Sequence, residues 1–136
     1  MRLVLEVEGL AGVQRSLRQI GPAAAKGLRL ALNEAADLLI NKVTPQIPSR
    51  TGAARRSLKA RSSQKAVRIA VGGKRAPYYP WLDFGGRTGR NRSVLRPFKA
   101  EGRYLYPGLR ANRAEIEKLI ERRLREVAED AGLEVD

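Results

Sequence analysis

PAAAKGLRLALNEAADLLINKV, from Pro22 to Val43, is the stretch that decides the fold. Leu28, Leu32, Ala35, Ala36, Leu39 and Val43 recur at i, i+3, i+4 and i+7, the spacing that gathers apolar side chains on one face of an α-helix. At 1.5 Å per residue such a helix is about 33 Å long, the principal element on which a core can form. Gly21-Pro22 opens it: proline suits a first helical turn and disfavours helix in the residue before it.

Working outward, Leu10, Val13, Leu17 and Ile20 predict a first helix over 10–20. Before it, Arg2 to Glu8 alternates Leu3, Leu5 and Val7 with Arg2, Val4, Glu6 and Glu8, the period of a half-buried strand, and Gly9 ends it. After the long helix, Thr44 to Gly52 holds two prolines and a glycine and predicts an ordered loop. Ala53 to Arg61 reads as a short turn running into a strand, and Lys65 to Gly72 alternates as a further strand closed by Gly72-Gly73. Lys74 to Arg103 has no sustained periodicity and predicts a long loop, with a basic arm over about 86–103 and an aromatic knot of Tyr78, Tyr79, Trp81 and Phe84 at one end. The arm holds so little apolar material beyond Val94, Leu95, Pro97 and Phe98 that it is expected to stay mobile until a partner orders it. A last helix is expected from near Pro107 to about Ala131. Its apolar face is Leu109, Ile116, Leu119, Ile120, Leu124, Val127 and Ala131, and Glu117/Glu121 with Arg125, Arg122 with Glu126 and Arg125 with Glu129 pair on its solvated side. The expectation is a single α+β domain over 1–136, a small antiparallel sheet packed against the long central helix and the C-terminal helix.

Composition narrows function. With 27 Lys+Arg against 14 Asp+Glu the formal charge is +13, and residues 50–110 alone carry 16 basic and 2 acidic side chains, Asp83 and Glu101. The remaining helices are close to charge-balanced, so the central loops present charge for contact with a polyanion or an acidic protein surface. The absence of Cys and His removes disulfides, thiol chemistry, Cys/His zinc sites and every His-based triad. The longest apolar stretch, Ala35 to Ile40, is short and broken by Asp37, and the N-terminus lacks a signal-peptide pattern, so a soluble protein made in a cytosol, without membrane contact, is expected.

Enzyme readings fare poorly. Gly72-Gly73-Lys74 lacks the spacing of a phosphate loop. Asp83 and Glu101 are read as acids paired among arginines rather than an acid/base pair or a metal site, and Ser57, Ser62 and Ser63 as structural serines. No catalytic residue, cofactor or metal is expected. Nucleic acid is the rival partner, through phosphate contacts of Arg55-Arg56, Lys74-Arg75 and Arg87/Arg90/Arg92, but the aromatics sit beside prolines and an acid rather than interleaved with the basic residues, and core packing with a polar edge within reach of a partner accounts for them better than base stacking.

Three segments add a resemblance. Val7-Glu8-Gly9-Leu10 followed by Pro48-x-x-Thr51-Gly52-x-x-Arg55-Arg56-Ser57-Leu58, then Tyr79-Pro80-Trp81-Leu82-Asp83-Phe84-Gly85, then Tyr104-Leu105-Tyr106-Pro107-Gly108-Leu109 agree in order and spacing with small head-tail connector or tail-completion proteins of tailed bacteriophages. Asp83 stands where that family usually has Glu, Gly86 where it has Thr, Ala54 where it has a larger apolar residue and Gly108 where it has Ala. The resemblance implies a structural protein of the virion neck or tail top, assembled in the host cytoplasm, forming a hexameric homo-oligomeric ring, contacting adjoining neck and tail proteins and touching genome DNA transiently. The residues expected to bind partners are Thr51, Gly52, Arg55, Arg56, Tyr79, Trp81, Asp83, Phe84, Arg87, Arg90, Arg92, Leu95 and Phe98, with Leu95 and Phe98 as apolar anchors.

Overall fold

The computed structural model describes residues 1–5, 10–63, 66–130 and 132. The expected strand end at Glu6, Val7 and Glu8, its stop at Gly9, the side chains of Leu10 and Val13, and Lys65 and Ala131 lie outside the described residues. The chain runs β1 (Arg2–Leu5), α1 (Leu10–Ile20), α2 (Pro22–Val43), a 3₁₀ turn (Thr44–Gln46), α3 (Ala53–Arg56), β2 (Lys59–Ala60), β3 (Val67–Ala70), α4 (Tyr79–Phe84), β4 (Gly86–Thr88), a second 3₁₀ turn (Arg90–Arg92), β5 (Val94–Arg96) and α5 (Leu105–Asp130). The class is α+β, as the periodicities indicate.

Helix α2 is the hub. Its expected apolar face is buried throughout, joined by Ala24 and Ala31. Thr44 Oγ1 donates to Ile40 O at 2.6 Å and the 3₁₀ turn tightens the exit, so that Ile47 is also fully buried. One face of α2 receives α5, and another receives a three-stranded antiparallel sheet of order β1-β3-β2. In that sheet Leu3 pairs with Ile69 and Leu5 with Val67; the apolar half of each alternation faces α2, and each fully buried side chain contributes about 1.5 to 3 kcal/mol. Ser62 stitches the sheet edge to α2: its amide donates to Asn33 Oδ1, and its hydroxyl donates to Leu32 O and accepts from Arg68 N. Ser57 does the same work between α3 and the Gly72 turn, donating to Ala54 O and accepting from Gly72 N.

Three expectations are corrected. The stretch from Lys74 to Arg103 is not a structureless loop. It holds α4 and an antiparallel hairpin in which Gly86, Arg87 and Thr88 pair with Arg96, Leu95 and Val94. The C-terminal helix begins at Leu105, two residues before Pro107; first-turn amides have no acceptor within the helix, so a proline three positions in costs no hydrogen bond. On α5 the pair Glu121–Arg125 forms, but Glu117 pairs with Arg113, and Arg123 takes Glu126 in place of Arg122.

Arg123 also reaches across to α2, donating Nε to Glu34 Oε2 at 2.7 Å and Nη2 to Glu34 Oε1 at 2.8 Å. Those direct hydrogen bonds hold the Glu34 carboxyl below its ordinary value, against a smaller opposing effect of burial. A carboxyl lowered on folding stabilises the protein above its unfolded pKa, and that stabilisation is lost as pH falls through the folded value. The gap in melting temperature between the native protein and Glu34→Gln should therefore be widest near neutrality and close below about pH 4.

The helices α2 and α5 approach closely at Gly108, where a Cβ would collide with Val43 Cγ2 and meet Leu39 Cδ1 at 3.5 Å. Glycine inside a helix costs about 0.5 to 1 kcal/mol against alanine, so its presence here answers to packing and not to helix propensity. Gly108→Ala should lower stability in urea by about 1 to 2 kcal/mol, and Val43→Ala in the same chain should remove most of that loss, a coupling read by a double-mutant cycle.

Candidate functional site

The candidate contact surface is built on α4. Gly85 stops that helix at φ 86, its amide donating to Trp81 O at 2.8 Å, and a Cβ there would collide with Pro97 O. Only glycine allows the chain to turn at this point while the far strand of the hairpin crosses so close. The hairpin base is then clamped from several sides. Lys99 N donates to Phe84 O at 2.7 Å, Trp81 Nε1 to Gly86 O at 2.9 Å, Arg96 Nε to Leu82 O at 3.1 Å and Arg96 Nη2 to Tyr104 Oη at 2.9 Å. The Arg96 guanidinium also lies 5.7 Å from the Trp81 ring centroid, within cation–π range. Phe84 is half-buried, its ring 6.1 Å from that of Tyr106.

Beneath this base sits Asp83, fully buried. Its Oδ1 accepts from the amides of Arg103 at 2.7 Å and Tyr104 at 3.0 Å; its Oδ2 accepts from Tyr79 Oη at 2.9 Å and from the amide of Leu105 at 3.4 Å. The amides of Tyr104 and Leu105 are among those that a helix leaves unpaired at its N-terminus, so Asp83 caps α5 from another element. Gly102, at φ 75, makes room: a Cβ there would stand 2.8 Å from Asp83 Oδ1. Arg103 adds donors to Asp83 O and to Pro97 O. Burial, with the neighbouring carboxylate, pushes the Tyr79 hydroxyl far above its ordinary range, so it acts as a permanent donor.

The turn before α3 forms the facing wall. Gly52 takes φ 81 and Thr51 Oγ1 accepts from Ala53 N at 3.3 Å, a side-chain turn of the kind threonine forms with the amide two residues on. Arg55 donates to Ile47 O and Pro45 O, and Arg56 to Thr51 O. Between this turn and α4 lies an open cleft of about 770 Å³ lined by Pro48, Arg50, Thr51, Arg75, Tyr78 and Trp81.

The residues expected to bind partners therefore divide. Thr51 and Trp81 share the cleft, with Gly52, Arg55 and Arg56 shaping its wall. Arg87, Arg90, Arg92, Leu95 and Phe98 stand exposed on and beside the hairpin. Tyr79 and Asp83 are enclosed, and the expectation that they touch a partner is corrected: they hold the base on which the exposed residues stand. Asp83 is not paired among arginine side chains either, since neutral amides and a phenol take its oxygens, while Glu101 is exposed. At the tip, Asn91 and Arg92 adopt φ 56 and 55, a left-handed conformation that asparagine tolerates and arginine adopts at a cost of about 1 to 3 kcal/mol. Sequence reasoning missed Arg96, Arg103 and Tyr104 as clamps; the signal for the hairpin was Gly89 within a five-residue connection between Thr88 and Val94.

Among the described residues no three His, Cys, Asp or Glu side chains converge as a metal site, and no helix is long and apolar enough to cross a membrane. Comparison with protein-family models, with curated proteins and with solved structures gives no match.

Asp83→Ala leaves buried amides at the head of α5 without an acceptor and should cost about 2 to 4 kcal/mol in urea unfolding, whereas Tyr79→Phe, which removes one neutral donor, should cost about 1 to 2 kcal/mol. Loss of the hairpin before the core, seen as early amide exchange over 86–98 in Asp83→Ala, is the accompanying expectation.

Proposed function

We propose that this chain is a structural assembly protein of the neck or tail top of a tailed phage, joining copies of itself into a ring and that ring to adjoining neck and tail proteins. The observation that carries the reading is the hairpin: Leu95 on it and Phe98 just beyond its second strand are 62% and 71% exposed, above a base held by hydrogen bonds to α4 and the head of α5. The register sets Leu95 opposite Arg87, so an apolar and a cationic group share one face. An aromatic or aliphatic anchor ringed by arginine is the composition of protein contacts, where apolar burial supplies affinity and charge supplies partner choice. The three segments that resemble connector proteins include both walls of the cleft and the head of α5. Head-to-tail contacts between identical subunits close into rings when the rotation between them closes. At +13, copies of the chain repel one another until acidic partner surfaces arrive, which favours assembly on neighbours over assembly alone.

Sedimentation of the protein alone and with adjoining neck and tail proteins tests this: discrete ring-sized species should appear in the mixture. A monomer at every concentration and in every mixture, missing from purified virions, overturns it. Leu95→Ala with Phe98→Ala should change unfolding free energy by less than about 1 kcal/mol, because both side chains are already in solvent, yet abolish the ring-sized species.

A further inference from the structure

The hairpin leaves a second cationic surface unused, on the face of the three-stranded sheet that α2 does not cover. Arg2 and Lys59 both pair with Ala70, so the row across the sheet reads Arg2–Ala70–Lys59, with both cations exposed and a methyl group between them. At the usual strand spacing the two outer positions are about 10 Å apart. The Gly72-Gly73 turn closes one end of this trough and carries Lys74 and Arg75, both exposed. Together these residues line a cleft of about 330 Å³ that contains four cationic side chains and no acidic one.

We propose that this cleft binds the phosphodiester backbone of nucleic acid, without regard to sequence. Three features select that ligand. Gly72 and Gly73 take φ 85 and 66, and among the described residues no acceptor takes the amides of Gly73, Lys74 or Arg75, so the turn offers backbone donors beside the cations. Successive free amides at a glycine turn form a concavity suited to a phosphate group. Second, Arg2 and Lys59 flank Ala70 with no acid in the cleft, so an anion seated over that methyl group meets a cation on either side. Third, the two cationic surfaces differ in kind. Residues 86–98 carry Arg87, Arg90, Arg92 and Arg96 with Leu95 and Phe98 and no lysine; the cleft carries Lys59 and Lys74 beside Arg2 and Arg75, with no aromatic residue. Protein contacts favour arginine with aromatic anchors and deplete lysine, whereas phosphate is taken by arginine in bidentate pairs and by lysine as a point charge, with no apolar anchor required. The missing aromatic also means no platform for a stacked base, so binding reads the backbone alone.

Fluorescence anisotropy of the full chain with a labelled mixed-sequence duplex of about 30 base pairs, over about 50 to 200 mM salt, tests the assignment. The native protein should bind unrelated sequences alike, with a log–log salt slope of about −3 to −4 for four phosphate contacts. Lys59→Ala with Lys74→Ala should flatten that slope by about 2 and weaken binding about 60-fold at 0.1 M salt. Arg90→Ala with Arg92→Ala at the hairpin tip should weaken it less than about threefold. Lys74→Glu, a single change in an exposed turn, should weaken binding at least as much as Lys74→Ala, and unchanged melting of each variant excludes loss of fold. No binding by the native protein, an equal or greater loss in the hairpin variant, or tighter binding of poly-glutamate than of DNA overturns the proposal, the last by making an acidic protein the ligand. Ring formation depends on Leu95 and Phe98 and should survive in the cleft variants, so failure here and failure of the assembly reading are separate results.

Discussion

A carboxylate sealed from water holds α4, the hairpin and the head of the C-terminal helix in place. Asp83 accepts from a phenol and from three successive amides at the head of α5, and so fixes α4, the return from the hairpin and the start of the C-terminal helix relative to one another. A buried charge is tolerable only where donors surround it, and a helix N-terminus supplies both the donors and the favourable dipole. The geometry has no slack: Gly102 is bare because Asp83 Oδ1 occupies the place of a side chain, and Gly85 because a carbonyl of the returning strand does. Farther along α5, Gly108 lets the helix settle against Val43 of α2, which carries the same registry into the core.

The excess of positive charge resolves into parts with different work. On the helices, basic residues meet acids, as in Arg123 with Glu34 and Glu126 or Arg125 with Glu121. In the central segment several arginines are occupied by their own backbone: Arg55, Arg56, Arg96 and Arg103 donate to carbonyl oxygens of turns and hairpin base, doing the work that regular secondary structure does elsewhere. The cations left exposed are a smaller set, the hairpin arginines on one side and those of the open sheet end on the other. Their different companions, apolar anchors in the first case and a glycine turn in the second, give each surface its own chemistry.

How far the sequence could be read follows from the range of the interactions concerned. Periodicity placed α1 and α2 and the buried face of α5, because burial of one face imposes a repeat that is local in sequence. It failed over 74–103, where the elements are too short to show a repeat and are held by Arg96, Asp83 and Arg103 reaching partners that lie far along the chain. Tyr79 could be read both as core filler and as a contact residue, and Asp83 as a contact residue, because a polar aromatic and an acid in a basic loop have the same composition whether they face a partner or a helix end. Their enclosure is a property of the packed chain.

Taken alone, the sequence determined the α+β class, the central helix and its apolar face, the concentration of cations between residues 50 and 110, and the absence of Cys and His chemistry. Only the tertiary structure decided that the basic arm is a hairpin clamped at its base, that Asp83 caps a helix twenty-two residues away at Leu105, and that Arg2 and Lys59 flank Ala70 above the Gly72-Gly73 turn. The first group depends on side-chain type and short spacing, which a linear string preserves. The second depends on which distant donors, acceptors and charges come within a few ångströms, and that is set when the helices and sheet pack.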